Sequence, residues 1–260
     1  MKTIASKLAL FVEHPKNSAI FLDFDGTLAE IVEDPRTARP LPGVPELLGS
    51  LAQYVSLIVV LSGRPIDFLL EVLGRIEGVH LVGLYGLEEC DATKDILRHD
   101  GLEKWGGILE GLQMRAQAQA PDGVYIEPKG FTIAFHWRER PEARGWIEAF
   151  VENEAELTGL EVYPGRFELE LRPPLAVDKG SVVTRLGRGH DVVVVFGDDL
   201  GDIPAFKALD YLEAEGADVV RIVAKDAETR SEVIDVADMV VSGPQGAVNL
   251  LTDLLDALST

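Results

Sequence analysis

Two carboxylates stand two residues apart in Asp23-Phe24-Asp25-Gly26-Thr27, directly after the apolar run Ala19-Ile20-Phe21-Leu22. A carboxylate held at the end of a buried strand can attack phosphorus, and a second one beside it can move the proton. A turn alone would explain the same residue types, since Asp and Gly favour Asx-type turns. Three further polar motifs argue for chemistry. Ser62-Gly63-Arg64 follows the apolar run 57–61, Lys179-Gly180-Ser181 opens a helix after the Pro173-Pro174 return, and Gly197-Asp198-Asp199, with Asp202 just beyond, follows the run 192–196. In open parallel sheets ligands bind beyond the carboxyl ends of the strands, so all four motifs are expected on one rim.

Asp23, Asp25 and Asp198 converging without a cation would repel one another, whereas a hard divalent ion takes oxygen ligands readily. Magnesium is therefore the expected cofactor. Zinc is disfavoured, because the lone Cys90 and the scattered His14, His80, His99, His136 and His190 show no ligand spacing. Such an ion offsets charge on a phosphoryl group, and Lys179 with the Ser62 hydroxyl would hold the remaining oxygens. Asp23 is then expected to attack and form an aspartyl-phosphate, splitting one displacement into two. Asp25 would protonate the leaving alkoxide and later deprotonate water. A free Asp titrates near ~3.9, so that role needs burial, a neighbouring anion or a proton gained with substrate.

The elements that must position these residues are legible in the apolar pattern. Short runs without alternation, such as 19–22, 57–61 and 192–196, read as strands buried on both faces, and helical stretches at 44–53, 65–73, 181–186 and 203–209 separate them. Further apolar runs lie at 80–84 and 219–223, and a last helix at 247–258. The fold class is therefore α/β, with a Rossmann-like parallel-sheet core assembled from both ends of the chain. Between them the pattern becomes α-β-β, twice: a helix at 102–120, strands at 124–127 and 131–137 turning at Pro128-Lys129-Gly130, a helix at 141–157, and strands at 160–163 and 167–171 turning at Pro164-Gly165. The expected organisation is a core of residues 1–100 and 173–260 and an inserted α+β cap of 101–172, which sets substrate specificity.

Composition narrows the partners. The 260 residues are 47% hydrophobic, enough for real cores, and carry 44 acidic against 24 basic side chains, a formal charge of −20. That charge opposes phosphate backbones and anionic lipid, so neither nucleic acid nor membrane is expected as a partner. A small anionic substrate would instead need a local concentration of positive charge. One cysteine rules out an internal disulfide framework and fits a reducing, cytoplasmic setting with Cys90 as a buried structural thiol. No run reaches the ~18 apolar residues of a membrane span. The stretch 4–12 reads as a surface helix and not a signal peptide, and no motif bears on oligomeric state.

Asp23-x-Asp25-Gly26-Thr27, Ser62-Gly63-Arg64, Lys179 and Gly197-Asp198-Asp199-x-x-Asp202 resemble, in order and spacing, the four motifs of the haloacid dehalogenase superfamily of phosphotransferases. The resemblance implies Asp23 as nucleophile, Asp25 as general acid/base, and magnesium held by Asp23, the Asp25 backbone carbonyl and Asp198, with Asp199 and Asp202 behind them. It also implies that Thr27, Gly63 and Arg64 bind substrate. Within the superfamily, Leu61-Ser62-Gly63-Arg64-Pro65, Gly83-Leu84-Tyr85-Gly86-Leu87-Glu88, Glu127-Pro128-Lys129-Gly130, His136-Trp137-Arg138 and the segment from Gly165 to Pro173 are similar to trehalose-6-phosphate phosphatases. That similarity implies that Glu127, Lys129, Arg166 and Glu170 face a disaccharide whose hydroxyls both donate and accept. Tyr85 stands where many members carry histidine, Arg166 where lysine is usual, and Gly201-Asp202-Ile203 where Thr-Asp-Glu is common. A phosphatase of another sugar phosphate, such as a sucrose or glucosylglycerol ester, a mutase and a non-catalytic sugar-phosphate sensor therefore stay open beside trehalose 6-phosphate.

Overall fold

Every residue of Ser18–Leu22 and of Val192–Gly197 is buried, as strands covered on both faces require. The computed structural model describes residues 8–91, 93 and 95–260. In chain order they form α1 (Ala9–Glu13), β1 (Ser18–Leu22), α2 (Val44–Leu51), β2 (Leu57–Leu61), α3 (Ile66–Leu73), β3 (Val79–Gly83), β4 (Glu88–Cys90) and β5 (Leu97–Arg98). Then come α4 (Gly106–Gln119), β6 (Tyr125–Pro128), β7 (Ile133–His136), α5 (Arg144–Thr158), β8 (Glu161–Gly165) and β9 (Glu168–Arg172). The chain ends with α6 (Lys179–Gly187), β10 (Val192–Gly197), α7 (Ile203–Ala214), β11 (Asp218–Lys225), α8 (Ser231–Ile234), β12 (Met239–Ser242) and α9 (Gly243–Leu258). Two units result, one running through Leu97 and resuming at Val177, the other Arg98–Ala176.

The large unit's sheet has the order β12-β11-β10-β1-β2-β3-β4-β5. Its register places the site: β1 lies parallel between β10 and β2, with Leu22 opposite both Phe196 and Val60. The residues that follow, Asp23, Gly197-Asp198 and Ser62, therefore leave the sheet at one edge. Apolar layers cover both faces, one containing Phe11, Ile20, Leu22 and Leu251, the other Phe21, Val59, Val195 and Phe206. At the start of α6 the Asp178 side chain accepts the Ser181 N–H while the Ser181 hydroxyl accepts the Asp178 N–H. This reciprocal cap fixes where the helix begins, and so where Lys179 stands.

The small unit is an antiparallel sheet of order β6-β7-β9-β8. Period-2 alternation sends Ile133, Phe135, Leu169 and Leu171 to a face packed with Leu109 and Leu112 of α4 and Ile147 and Phe150 of α5. The same alternation puts Tyr125, Glu127, Ala134, His136, Glu168, Glu170 and Arg172 on the opposite face.

Four details depart from the sequence reading. The second hairpin turns at Arg166-Phe167, because Pro164 and Gly165 belong to β8. β8 is an edge strand, where proline's missing N–H leaves no central ladder bond unmade, and Phe167 takes the positive φ (59°) that this short turn demands. The core sheet also gains an antiparallel strand, β4, against β3, and an outer parallel strand, β12. Finally, α1 is not purely a surface helix, since Phe11 is fully buried; residues 4–7 of that expected helix lie outside the described residues.

Candidate active site

Asp23 is buried where β1 ends, its N–H bonded to the Phe196 carbonyl of β10 at 3.1 Å. The Lys179 ammonium donates to Asp23 Oδ1 at 2.5 Å and to Asp202 Oδ1 at 2.7 Å. Asp202 in turn accepts the N–H groups of Asp198 (2.9 Å) and Asp199 (3.3 Å) on Oδ2. Asp199 accepts the Gly201 N–H at 2.7 Å and shapes the turn into α7. Asp202 is thus occupied in holding the acidic loop and the lysine. Asp198 is brought against the first loop, where Gly26 sits at φ +84° and a Cβ would lie 2.2 Å from Asp198 Oδ2. Only glycine leaves room for that carboxylate.

Negative charge is in excess here. Burial drives the Asp23 carboxyl well above its usual range despite the pull of Lys179, with Asp202 and Asp199 adding to the rise. Burial opposes the charge on Lys179, yet Asp202, Asp23 and Asp199 together hold its ammonium well above the ordinary lysine value. The lysine therefore stays cationic and the carboxylates remain under-compensated. Oxygens of Asp23, Asp198 and Asp202 all lie within 4.8 Å of one another. An all-oxygen set with surplus negative charge fits a hard divalent cation. With Asp202 engaged by three donors, Asp23 and Asp198 are its better ligands.

The second carboxylate of the first motif is held differently. Arg64 forks onto Asp25, Nε to Oδ2 and Nη2 to Oδ1 at 2.8 Å each, while its guanidinium lies 4.7 Å from the centre of the Phe68 ring. The Ser62 hydroxyl accepts the Arg64 N–H at 3.1 Å, and the carbonyls of Ser62 and Arg64 accept the N–H groups of Tyr85 and Leu84. Leu84 and Tyr85 are consecutive left-handed residues, at φ 48° and 61°. Such strain persists only where surrounding contacts impose it. Here Gly63 supplies the space, since a Cβ on it would sit 2.5 Å from the Tyr85 hydroxyl oxygen. Thr27 is fully buried, and its hydroxyl has no hydrogen-bond partner among the described residues.

In the small unit, Lys129 Nζ lies 3.8 Å from Glu127 and 3.6 Å from Glu170. Glu170 is fully buried and also accepts from the Thr132 hydroxyl and from Arg172 Nη2 at 3.0 Å. Burial would raise its pKa, but Lys129, Arg172 and Thr132 outweigh that and hold it below the ordinary glutamate value. Arg166 stands at the β8–β9 turn. Among the described residues the structure therefore gathers Asp23, Lys179, Asp198 and Asp202 into one cluster, Asp25 with Arg64 and Ser62 into another, and Glu127, Lys129 and Glu170 into a third.

Sequence reasoning missed Glu88 and Glu168. Glu88 is buried and accepts the Ile66 N–H at 3.0 Å, tying β4 to the start of α3 just beyond Arg64. An acid closing the apolar, glycine-rich segment 83–88 was the available signal. Glu168 bonds His136, and its signal was the alternation Glu168-Leu169-Glu170-Leu171-Arg172, which sets all three charges on one face.

The trehalose-phosphatase family model matches residues 21–237. The trehalose-phosphate phosphatase of Mycobacterium leprae (strain TN) is 32% identical over 219 residues, 79% of this chain and 51% of that protein. That of Mycolicibacterium paratuberculosis (strain ATCC BAA-968 / K-10) is 33% identical over 204 residues, 75% of this chain and 52% of that protein. The chain thus spans about half the length of these curated relatives. Among solved structures, the C-terminal domain of C. albicans trehalose-6-phosphate phosphatase superposes with a TM-score of 0.79 at 21% identity, covering 98% of each chain. A trehalose-6-phosphate phosphatase related protein gives 0.73 at 24% identity, covering 92% of this chain and 97% of the other. Those structures share the fold, a parallel-sheet core with a separate antiparallel cap. Because the family model covers most of the sequence, including the first, second and fourth motifs and Lys179, this chain belongs to the trehalose-phosphatase family.

Proposed function

We propose that the chain is a magnesium-dependent phosphatase that hydrolyses trehalose 6-phosphate to trehalose and phosphate through an aspartyl-phosphate on Asp23. The observation that carries this reading is the meeting of Asp23, Lys179 and Asp198 at one strand edge, with Asp202 organising both loop and lysine. Bound by Asp23, the Asp25 carbonyl and Asp198, the ion would neutralise the carboxylates and polarise the phosphoryl group. An Asp23 oxygen attacks phosphorus, the bond from phosphorus to the sugar oxygen breaks, and Asp25 delivers a proton to that oxygen. Water then attacks the phosphoryl-aspartate, Asp25 takes its proton, and phosphate leaves with Asp23 restored. The Arg64 fork occupies both Asp25 oxygens, so Arg64 must turn away before that side chain can reach the sugar oxygen. Lys179 holds the charge on Asp23 and on the transferring group, while Ser62, Gly63 and Arg64 present donors to the phosphoryl oxygens.

Glu127, Lys129, Arg166 and Glu170 would recognise the sugar, a mixed set of donors and acceptors suited to hydroxyls. No helix among the described residues is long and apolar enough to cross a membrane. Phosphate release from a panel of sugar phosphates, with and without magnesium, tests the reading. Trehalose 6-phosphate should lead, chelation should abolish turnover, and Asp23→Asn should be inactive. Another ester far ahead would replace the substrate. Ligand binding without phosphate release from the wild type would replace the enzyme with a sensor.

A further inference from the structure

Cross-strand register sets Tyr125 of β6, His136 of β7 and Glu168 of β9 in one row on the open face of the small sheet. His136 is held from both sides: Nε2 lies 3.0 Å from Glu127 Oε2, and Nδ1 lies 3.1 Å from Glu168 Oε2. The Tyr125 ring stacks on the imidazole with centroids 5.0 Å apart, and the three polar side chains are only 12–16% exposed. Each ring nitrogen thus faces a carboxylate oxygen, and the ring cannot turn without losing both contacts. Oxygens of Glu127 and Glu168 and one ring nitrogen lie within 4.8 Å of one another, the spacing of a metal site. A metal, however, takes a single ring nitrogen, whereas here each nitrogen already faces a carboxylate.

Resting on the sugar-phosphatase reading above, we infer that His136 is a positioning residue of the sugar subsite: anchored by Glu168, it fixes the Glu127 carboxylate before substrate arrives. A strand glutamate not held by its neighbours samples several rotamers, and ordering it on binding weakens affinity. The imidazole, clamped at its other nitrogen and stacked on Tyr125, removes that freedom in advance. Lys129, 3.8 Å from the same Glu127 oxygen, completes the orientation. His136 acts through Glu127, so its loss should weaken ground-state binding of the sugar and leave the phosphoryl chemistry alone.

Steady-state kinetics of His136→Gln and Glu168→Gln test this, using trehalose 6-phosphate and p-nitrophenyl phosphate, which has no sugar, in magnesium buffer. KM for the sugar ester should rise roughly five- to tenfold, the loss expected from one orienting hydrogen bond, with kcat within about twofold. Neither parameter for the aryl ester should move by more than about twofold. The His136→Gln/Glu127→Gln double variant should be no weaker than Glu127→Gln alone, because one acts through the other. Tryptophan fluorescence reports folding of the small unit, which contains Trp105, Trp137 and Trp146, all of the chain's tryptophans. Should His136→Gln fail to fold, Glu168→Gln keeps the imidazole and gives the same reading. The inference is overturned if the sugar KM is unchanged, if both substrates decline together, or if the double variant multiplies the single effects. A wild type that prefers another sugar ester refutes the choice of trehalose 6-phosphate, and the same comparison on that ester decides the role of His136. A wild type that hydrolyses no phosphate ester overturns both.

Discussion

Gly26 and Gly43 offer a matched pair of perturbations. Their φ angles are +84° and +83°, but a Cβ on Gly26 would meet Asp198 at 2.2–2.6 Å, while one on Gly43 would meet nothing within 4 Å. Alanine at either position incurs the left-handed backbone penalty, about 1–2 kcal/mol. At Gly26 the Asp198 carboxylate must also retreat by roughly 1 Å to restore ordinary contact. A short side chain can turn aside for about 0.5–1.5 kcal/mol by leaving its rotamer, but it then turns out of the Asp23 cluster. A displacement of ~1 Å at a reacting centre costs on the order of 10²-fold in rate. Gly43→Ala should therefore lower Tm by about 2–8 °C, at roughly 2–4 °C per kcal/mol, with full activity. Gly26→Ala should melt slightly lower again, lose about 100-fold in phosphate release, and need more magnesium for half-maximal rate. Far-UV circular dichroism melts and a magnesium titration of turnover measure both. Equal activity and equal magnesium dependence in the two variants would refute the claim that Gly26 exists to admit Asp198.

Other outcomes follow from the ion pairs. Lys129, Arg172 and Thr132 hold the Glu170 carboxyl below the ordinary glutamate value despite its burial, so it stabilises the small unit at pH values above the ordinary glutamate range. That contribution should fade as pH falls through the folded value, and Glu170→Gln should flatten the acid limb of denaturant titrations followed by tryptophan fluorescence. Arg115 forks onto Glu154, which is 1% exposed in α5. Arg115→Ala leaves that carboxylate buried and unpaired, and because the arginine is 41% exposed the loss should be about 1–3 kcal/mol by the same fluorescence titration. Arg64→Lys keeps a charge but not the fork on Asp25, so kcat/KM should fall about tenfold or more; wild-type kinetics would show that the fork has no part in turnover.

Much of the fold was legible because β1, β2 and β10 are buried on both faces and so read as unbroken apolar runs. β4 was hidden because Glu88-Glu89-Cys90 contains a buried acid whose partner, the Ile66 N–H, is supplied by another element. β12 was missed because a short edge strand with exposed Val240 has little burial to announce it. The core motifs could be read in advance since each follows its strand directly. What sequence could not show was pairing across distance. The forks and bridges of Arg64 on Asp25, Lys179 on Asp23 and His136 on Glu168 span 39, 156 and 32 residues, and all depend on strand register. The Pro164-Gly165 turn was misplaced because those residue types favour turns wherever they stand, whereas the edge position of β8 admits both within a strand.

The central claim is that Asp23 and Asp198 hold a divalent cation beside Lys179. Crystals grown with manganese in place of magnesium, measured at the manganese absorption edge, test it directly. The account predicts one anomalous peak in contact with oxygens of Asp23 and Asp198, lost in Asp198→Asn. A peak at Glu127, His136 and Glu168 with none beside Asp23 would contradict it.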